Sequence, residues 1–208
     1  MAWGISHKYK FIFFHIPSTA GTSICSSHET SLLKYICRDN GVLGGGHRSV
    51  LEIQQTYPDE FSKYYKFCVI RNPFSRFVSK FFYRRYEKFD GHVFDWTDKA
   101  SQALLPQLYW ITDRSVLIDP KGLKRDPYYR PDQHYGKIMV DRMIRFENLI
   151  PELSEVLNEL GVPVDLDKMP NIHKLHDADD YKQYYDDRLR SLVSFVYRDD
   201  LKRFGYTW

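Results

Sequence analysis

Cysteine is scarce in this chain: Cys25, Cys37 and Cys68 are the only three among 208 residues. An odd number without C-x-x-C spacing gives neither a disulfide framework nor a zinc signature, so the three read as small buried hydrophobes of a reducing compartment. Long apolar runs are also missing. No stretch approaches the roughly 20 apolar residues of a membrane span, and the opening Met-Ala-Trp-Gly-Ile-Ser-His-Lys lacks the extended apolar segment of a signal peptide. These two absences lead us to expect a cytoplasmic or otherwise soluble protein with no membrane span. Charge of one sign is lacking too, since the net charge is +3 with 27% charged residues. That balance gives no reason to expect nucleic acid as a partner, yet it suits an anionic small ligand in a local positive pocket. Repeats and low-complexity tracts do not occur.

What is present is a core. Hydrophobic residues make up 43% and aromatics 16% of the chain, enough to offset chain entropy in one domain spanning residues 1–208. The apolar run at 10–15 reads as a buried strand, 16–21 as a loop, and Thr22 to about Cys37 as a helix with Thr22 or Ser23 as N-cap. Gly44-Gly45-Gly46 reads as a flexible break. Val50–Tyr57 reads as a helix ended by Pro58, Tyr65–Ile70 as a second strand, and Phe74–Phe89 as a helix with one apolar face. A short strand at Met143–Phe146 precedes a helix at Ile150–Leu160, stopped by Gly161 and Pro163. One helix is expected over Asp187–Phe204. Strands alternating with helices predict an α/β fold with a P-loop-like central, largely parallel sheet flanked by helices.

Two segments carry chemistry. In Ile16-Pro17-Ser18-Thr19-Ala20-Gly21-Thr22-Ser23, small residues connect a buried strand to a helix start, and hydroxyls add donors. Such a loop suits either a phosphate, held by free backbone N–H groups and the helix dipole, or an ordinary polar helix cap. The nucleoside triphosphatase pattern G-x-x-x-x-G-K-[ST] is not met, because no Gly-Lys pair occurs here. The second segment, Cys68 to Ser79, places Arg71 at a strand's C-terminal end and Ser79 about two turns into the next helix. An arginine fork and a serine hydroxyl suit a phosphate there; surface ion pairs of Arg71 and Arg76 are the ordinary reading.

Taken together, His15-Ile16-Pro17-Ser18-Thr19-Ala20-Gly21-Thr22-Ser23 and Arg71-Asn72-Pro73-x-x-Arg76-x-x-Ser79 resemble the sulfotransferase superfamily, in its carbohydrate (heparan 2-O- and bacterial-type) branch. Gln107-Leu108-Tyr109-Trp110, Ile144-Arg145-Phe146-Glu147-Asn148-Leu149 and Tyr197-Arg198-Asp199-Asp200-Leu201 with Phe204-Gly205-Tyr206 extend the resemblance in family order over nearly the whole chain. The resemblance implies 3′-phosphoadenosine 5′-phosphosulfate (PAPS) as sulfate donor and adenosine 3′,5′-bisphosphate (PAP) as product. It implies that Ser18, Thr19, Ala20, Gly21, Thr22 and Ser23 hold the 5′-phosphosulfate and that Arg71 and Ser79 hold the 3′-phosphate. The segment Pro170-Asn171-Ile172-His173-Lys174 resembles the family's late nucleotide-facing segment, which adds Asn171 and Lys174 to the donor contacts.

One position departs from the family. Its loop lysine, which lies near the breaking S–O bond, is Ser18 here. A serine brings no positive charge to the departing oxygen, and removing one such donor costs about 10²–10³ in rate. Lys8, Lys10, Arg48 or another cation takes its place in space, or the residue was changed to trap a complex, or the chain is a weakened or inactive relative that binds PAP or PAPS.

On the acceptor side, His47 follows the glycine run between the two motifs, where the family often carries a catalytic histidine. It is the expected base for the acceptor hydroxyl, against the plainer reading of a loop histidine. Arg48 would hold an anionic acceptor or the sulfate. Tyr128 and Arg130, in the tyrosine- and arginine-rich stretch 121–130, suit a sugar face and its anionic groups, or else belong to a surface loop. The expected acceptor is a carbohydrate hydroxyl, neutral or anionic. Asp141 and Glu147 are auxiliary acids, Glu147 better suited to a structural role. His15 supports the strand end. His173 and His176 lack a third ligand nearby, so no metal is expected.

Overall fold

A computed structural model of the chain describes residues 2–24, 41–45, 48, 50–84, 133–134, 137–163, 166 and 178–208. The chain divides into two compact units, residues 1–70 with 127–173 and residues 71–126 with 174–208.

The first unit is built on a five-stranded sheet of order β3-β1-β2-β4-β7, from β1 (Ala2–Ser6), β2 (Phe11–Phe14), β3 (Val42–Gly45), β4 (Tyr65–Ile70) and β7 (Arg142–Arg145). A separate two-stranded ribbon pairs β5 (Gln133–His134) with β6 (Lys137–Ile138). β2 pairs parallel with β4, Phe14 opposite Cys68, and β4 pairs parallel with β7. β1 runs antiparallel to both β2 and β3. The sheet is therefore mixed, not largely parallel as the sequence predicts. The cause is local. Ser6 and Phe11 are joined by the tight turn 7–10, in which Lys10 takes a φ of 53°, so Ala2–Ser6 folds back as a hairpin partner. The glycine run read as a break supplies the next strand. Gly44 lies opposite Trp3, and a Cβ at Gly44 would sit 2.0 Å from the indole ring. Glycine is there for close approach of ring and backbone.

All four residues of β2 are buried, which explains a continuous apolar run where a one-sided strand would alternate. Phe11 and Phe13 meet Phe67 at ring-centroid distances of 5.5 and 5.3 Å. With Val69 and Ile144 they pack against Leu153, Val156 and Leu157 of α5 (Leu149–Glu159). On the other face Phe14 reaches Phe61 of α3 (Pro58–Lys63). Pro58 does not simply end the preceding helix, α2 (Val50–Thr56); it opens α3 from a first-turn position, where its missing N–H costs nothing. Asp141 proves structural: its Oδ2 accepts the Lys66 backbone N–H at 2.7 Å and lies 3.0 Å from Lys66 Nζ, which fixes the start of β4 against β7. Glu152 supports the end of β7, accepting from the Arg145 N–H at 2.9 Å and from Asn148 Nδ2 at 3.2 Å.

The second unit packs α4 (Pro73–Arg84) against a 3-10 segment (Ala178–Tyr184) and α6 (Asp187–Val196). Phe74, Phe77 and Val78 form a core with Tyr181, Leu189, Val193, Val196 and Tyr197. The Tyr185 hydroxyl donates to the Phe74 carbonyl at 2.9 Å. Burial, with the nearby Tyr197 and Tyr181 phenols, raises its pKa well above the usual tyrosine value, so it stays a neutral donor. The single helix expected over 187–204 is two, α6 and α7 (Arg198–Phe204), broken at Tyr197, whose ψ of 15° leaves the helical range. α6 starts where Asp186 accepts the Leu189 N–H at 2.6 Å. We expect Asp186→Ala to lower stability by about 1 kcal/mol, read as a shift of the urea midpoint at unchanged slope; an unchanged midpoint would show that the cap contributes nothing. Among the described residues, no helix is long and apolar enough to cross a membrane.

Candidate functional site

In the first unit, β2, β3, β4 and β7 all run in one direction, because β1 is antiparallel to both of its neighbours. Their C-terminal ends share one edge of the sheet, the edge where α/β sheets bind ligands. The phosphate-loop segment leaves β2 at that edge. His15, Ile16 and Pro17 are buried, Ser18 and Ala20 are half-buried, and Thr19 is 1% exposed. Ser18 and Ala20 both take left-handed backbone, φ 63° and 60°, while Thr19 between them does not. Alternation of hand is the backbone pattern that turns successive N–H groups into an anion-binding concavity. Each such residue costs about 1–3 kcal/mol and persists only where its surroundings impose it.

The imposing contacts are visible. Thr19 Oγ1 donates to the Ile16 carbonyl at 2.7 Å, closing the loop on itself. The His15 ring lies against Gly21, where a Cβ would sit 1.8 Å from ring atoms. α1 (Gly21–Ile24) then begins, with Ile24 N–H donating to the Ala20 carbonyl at 3.0 Å. Thr22 and Ser23 thus lie inside the first turn, not at the N-cap as expected from sequence. Ser23 is buried.

The cations suggested as replacements for the missing lysine separate clearly. Lys8 and Lys10 sit in the turn before β2, and Lys8 lies over the Tyr9 ring at 5.0 Å. The loop follows β2, so the strand's rise of about 3.3 Å per residue places Lys10 about 16 Å from His15 along it. Neither lysine substitutes at Ser18. Arg48 is exposed, with its guanidinium 5.3 Å from the Trp3 ring centroid and Nη1 3.4 Å from Thr56 Oγ1. Trp3 pairs with Gly44 at the C-terminal end of β3, which belongs to the loop's edge of the sheet.

The second motif opens the second unit. Arg71 is 6% exposed, and its Nε donates to Ser75 Oγ at 3.0 Å. Asn72 caps α4: Oδ1 accepts the Phe74 N–H at 3.0 Å, and Nδ2 donates to the Thr207 carbonyl at 3.0 Å. Ser79 is half-buried on the same helix. Arg76, also in the motif, is 2% exposed with its guanidinium 5.3 Å from the Tyr197 ring centroid, so its part is cation–π packing within this unit. Ser75 was not among the sequence candidates. Its signal was there, since positions four apart meet across one helical turn.

His47, Tyr128, Arg130, Asn171 and Lys174 lie outside the described residues, as do His173 and His176, while Thr22 is described for its backbone alone. Among the described residues, no group of three or more His, Cys, Asp or Glu is placed to hold a metal ion.

Comparison with known proteins agrees with the motifs. The model of the sulfotransferase family (Sulfotransfer_2) matches residues 3–102. An uncharacterized protein of Archaeoglobus fulgidus is 30% identical over 107 residues, which covers 51% of this chain and 76% of that protein. No solved structure matches. The loop after β2 and the arginine motif after β4 both fall inside the range that the sulfotransferase family model matches, so this part of the chain is similar to that family.

Proposed function

We propose that the chain moves a sulfuryl group from PAPS to a hydroxyl of a carbohydrate. The observation that supports this most is the loop at 15–24, whose left-handed Ser18 and Ala20 are held by the buried His15 and Thr19 at the ligand edge of the sheet. Its backbone N–H groups and hydroxyls fit a 5′-phosphosulfate, with Ser18, Thr19, Ala20, Gly21, Thr22 and Ser23 around it. Arg71 and Ser79 fit a 3′-phosphate, as a charged fork and a neutral donor, and Asn171 and Lys174 complete the donor contacts. When bound, PAPS supplies the sulfuryl group. His47, two positions beyond β3, takes the proton of the acceptor hydroxyl. The acceptor oxygen bonds to sulfur as the S–O bond towards PAP breaks, giving a sulfate ester and PAP. Arg48, Tyr128 and Arg130 orient the acceptor, with Arg48 and Arg130 suited to its anionic groups.

Calorimetric titration with PAP and with adenosine 5′-monophosphate (AMP) tests the donor half. We expect PAP to bind at least about tenfold more tightly, since each hydrogen bond to a charged group is worth about 1.5–3 kcal/mol. Equal affinities, or tight ATP binding without PAP binding, would end the reading. Radiolabelled PAPS with a glycan panel tests the acceptor half; PAP binding without transfer to any member would leave a nucleotide-binding protein in place of an enzyme.

A further inference from the structure

We infer that Ser75 is a positioning residue for Arg71, fixing the guanidinium so that its outer edge presents a preformed fork to the 3′-phosphate. The inference rests on the donor reading above and adds to it a residue outside the family pattern, where position 75 is unspecified. Arg71 and Ser75 are 6% and 3% exposed, and the bond between them runs from Nε to Oγ at 3.0 Å. Of the five N–H donors of a guanidinium, the single one on Nε is then committed to the helix, which sets the orientation of the planar group whose Nη1 and Nη2 carry the other four. Fixing Nε fixes the orientation of the whole planar group, so less rotamer freedom is lost when an anion arrives.

The anchor itself is rigid. Ser75 stands in the first turn of α4, a turn held by the Asn72 cap and by the Arg76 N–H to Asn72 carbonyl bond of 2.8 Å. Arg71, one residue before that cap, is a cation at the positive end of a helix of 12 residues. That is an unfavourable place for it, and an anion there relieves the repulsion. The serine hydroxyl accepts from Arg71 without neutralising it, as a carboxylate at 75 would do.

The test is a titration of PAP and AMP into the wild type, Ser75→Ala, Ser75→Thr, Arg71→Ala and the Arg71→Ala/Ser75→Ala double variant. Ser75→Ala should weaken PAP about fivefold to tenfold, the range of a hydrogen bond to a charged group, and leave AMP unchanged. Ser75→Thr, which keeps the hydroxyl, should restore PAP affinity to within about twofold of the wild type. In the Arg71→Ala background the serine should no longer matter, because the group it positions is gone. Ser75→Cys, near-isosteric with a weak acceptor, carries the same expectation as alanine where alanine fails to fold. Equal losses for PAP and AMP, no loss at all, or a further loss in the Arg71→Ala background would each overturn the inference. A wild type that binds PAP no better than AMP would instead defeat the donor reading on which it stands.

Discussion

The Gly21→Ala variant is expected to lose about 1–3 kcal/mol of stability, the usual cost of forcing atoms into a packed site, and to bind PAP far more weakly than the wild type. The reason is the 1.8 Å separation between the added Cβ and the His15 ring. His15 is 3% exposed and has no open space to swing into, so relief must come from the backbone of 15–21. That backbone holds the two left-handed residues, and a loop shifted by about 1 Å can cost about 10²-fold in transfer. Thermal unfolding and the PAP titration check both parts. The combination His15→Ala/Gly21→Ala removes the clash from the other side and should regain part of the stability lost by Gly21→Ala. An alanine variant that melts and binds like the wild type would mean that the ring does not hold the loop.

Ser18→Lys is expected to raise the transfer rate about 10²–10³-fold, the range found when one donor is added or removed at a developing oxyanion. The substitution is conformationally inexpensive. Ser18 already carries a Cβ at φ 63°, so lysine adds no backbone penalty that serine does not have, and the half-buried position leaves a path for the longer chain. Single-turnover rates with labelled PAPS on the best acceptor measure the gain directly. If PAP binding persists and the rate does not move, charge on the departing oxygen is met from elsewhere; the geometry excludes Lys8 and Lys10 from that role.

Much of the sheet was legible because β2 and the last four residues of β4 are buried and read as continuous apolar runs, 11–14 and 67–70. β1 and β3 were not legible. Ala2–Ser6 has no repeating pattern, and Gly44-Gly45 looks like a break until Trp3 is placed over it. Both strands exist through pairing, β3 with β1 and β1 with β2, a non-local cause that a window of residues does not contain. Pro58 misled for a related reason: the same ring that stops one helix is preorganised to start the next. Tyr197 shows the reverse case, an apolar stripe continuous in sequence and interrupted in the backbone. In the candidate site, residue types announced the anion chemistry of the loop, and the arginine motif likewise. The φ values of Ser18 and Ala20 were hidden, since neither residue favours left-handed backbone without the contacts of Thr19 and His15. The Arg71–Ser75 spacing was in plain sight, but only the 3.0 Å bond distinguishes it from any other pair four apart.

The Asn72 amide has a consequence for how the protein is made. Its Oδ1 finds a partner two positions away, whereas its Nδ2 bonds to the Thr207 carbonyl, 135 positions further along the chain. During translation the near bond can form as soon as Phe74 emerges, while the far one must wait for position 207 to be synthesised and for a long loop to close. The start of α4 therefore reaches its final geometry late in biosynthesis, so a nascent chain stalled before that point would have the loop's sequence in hand well before the arginine motif was fully held.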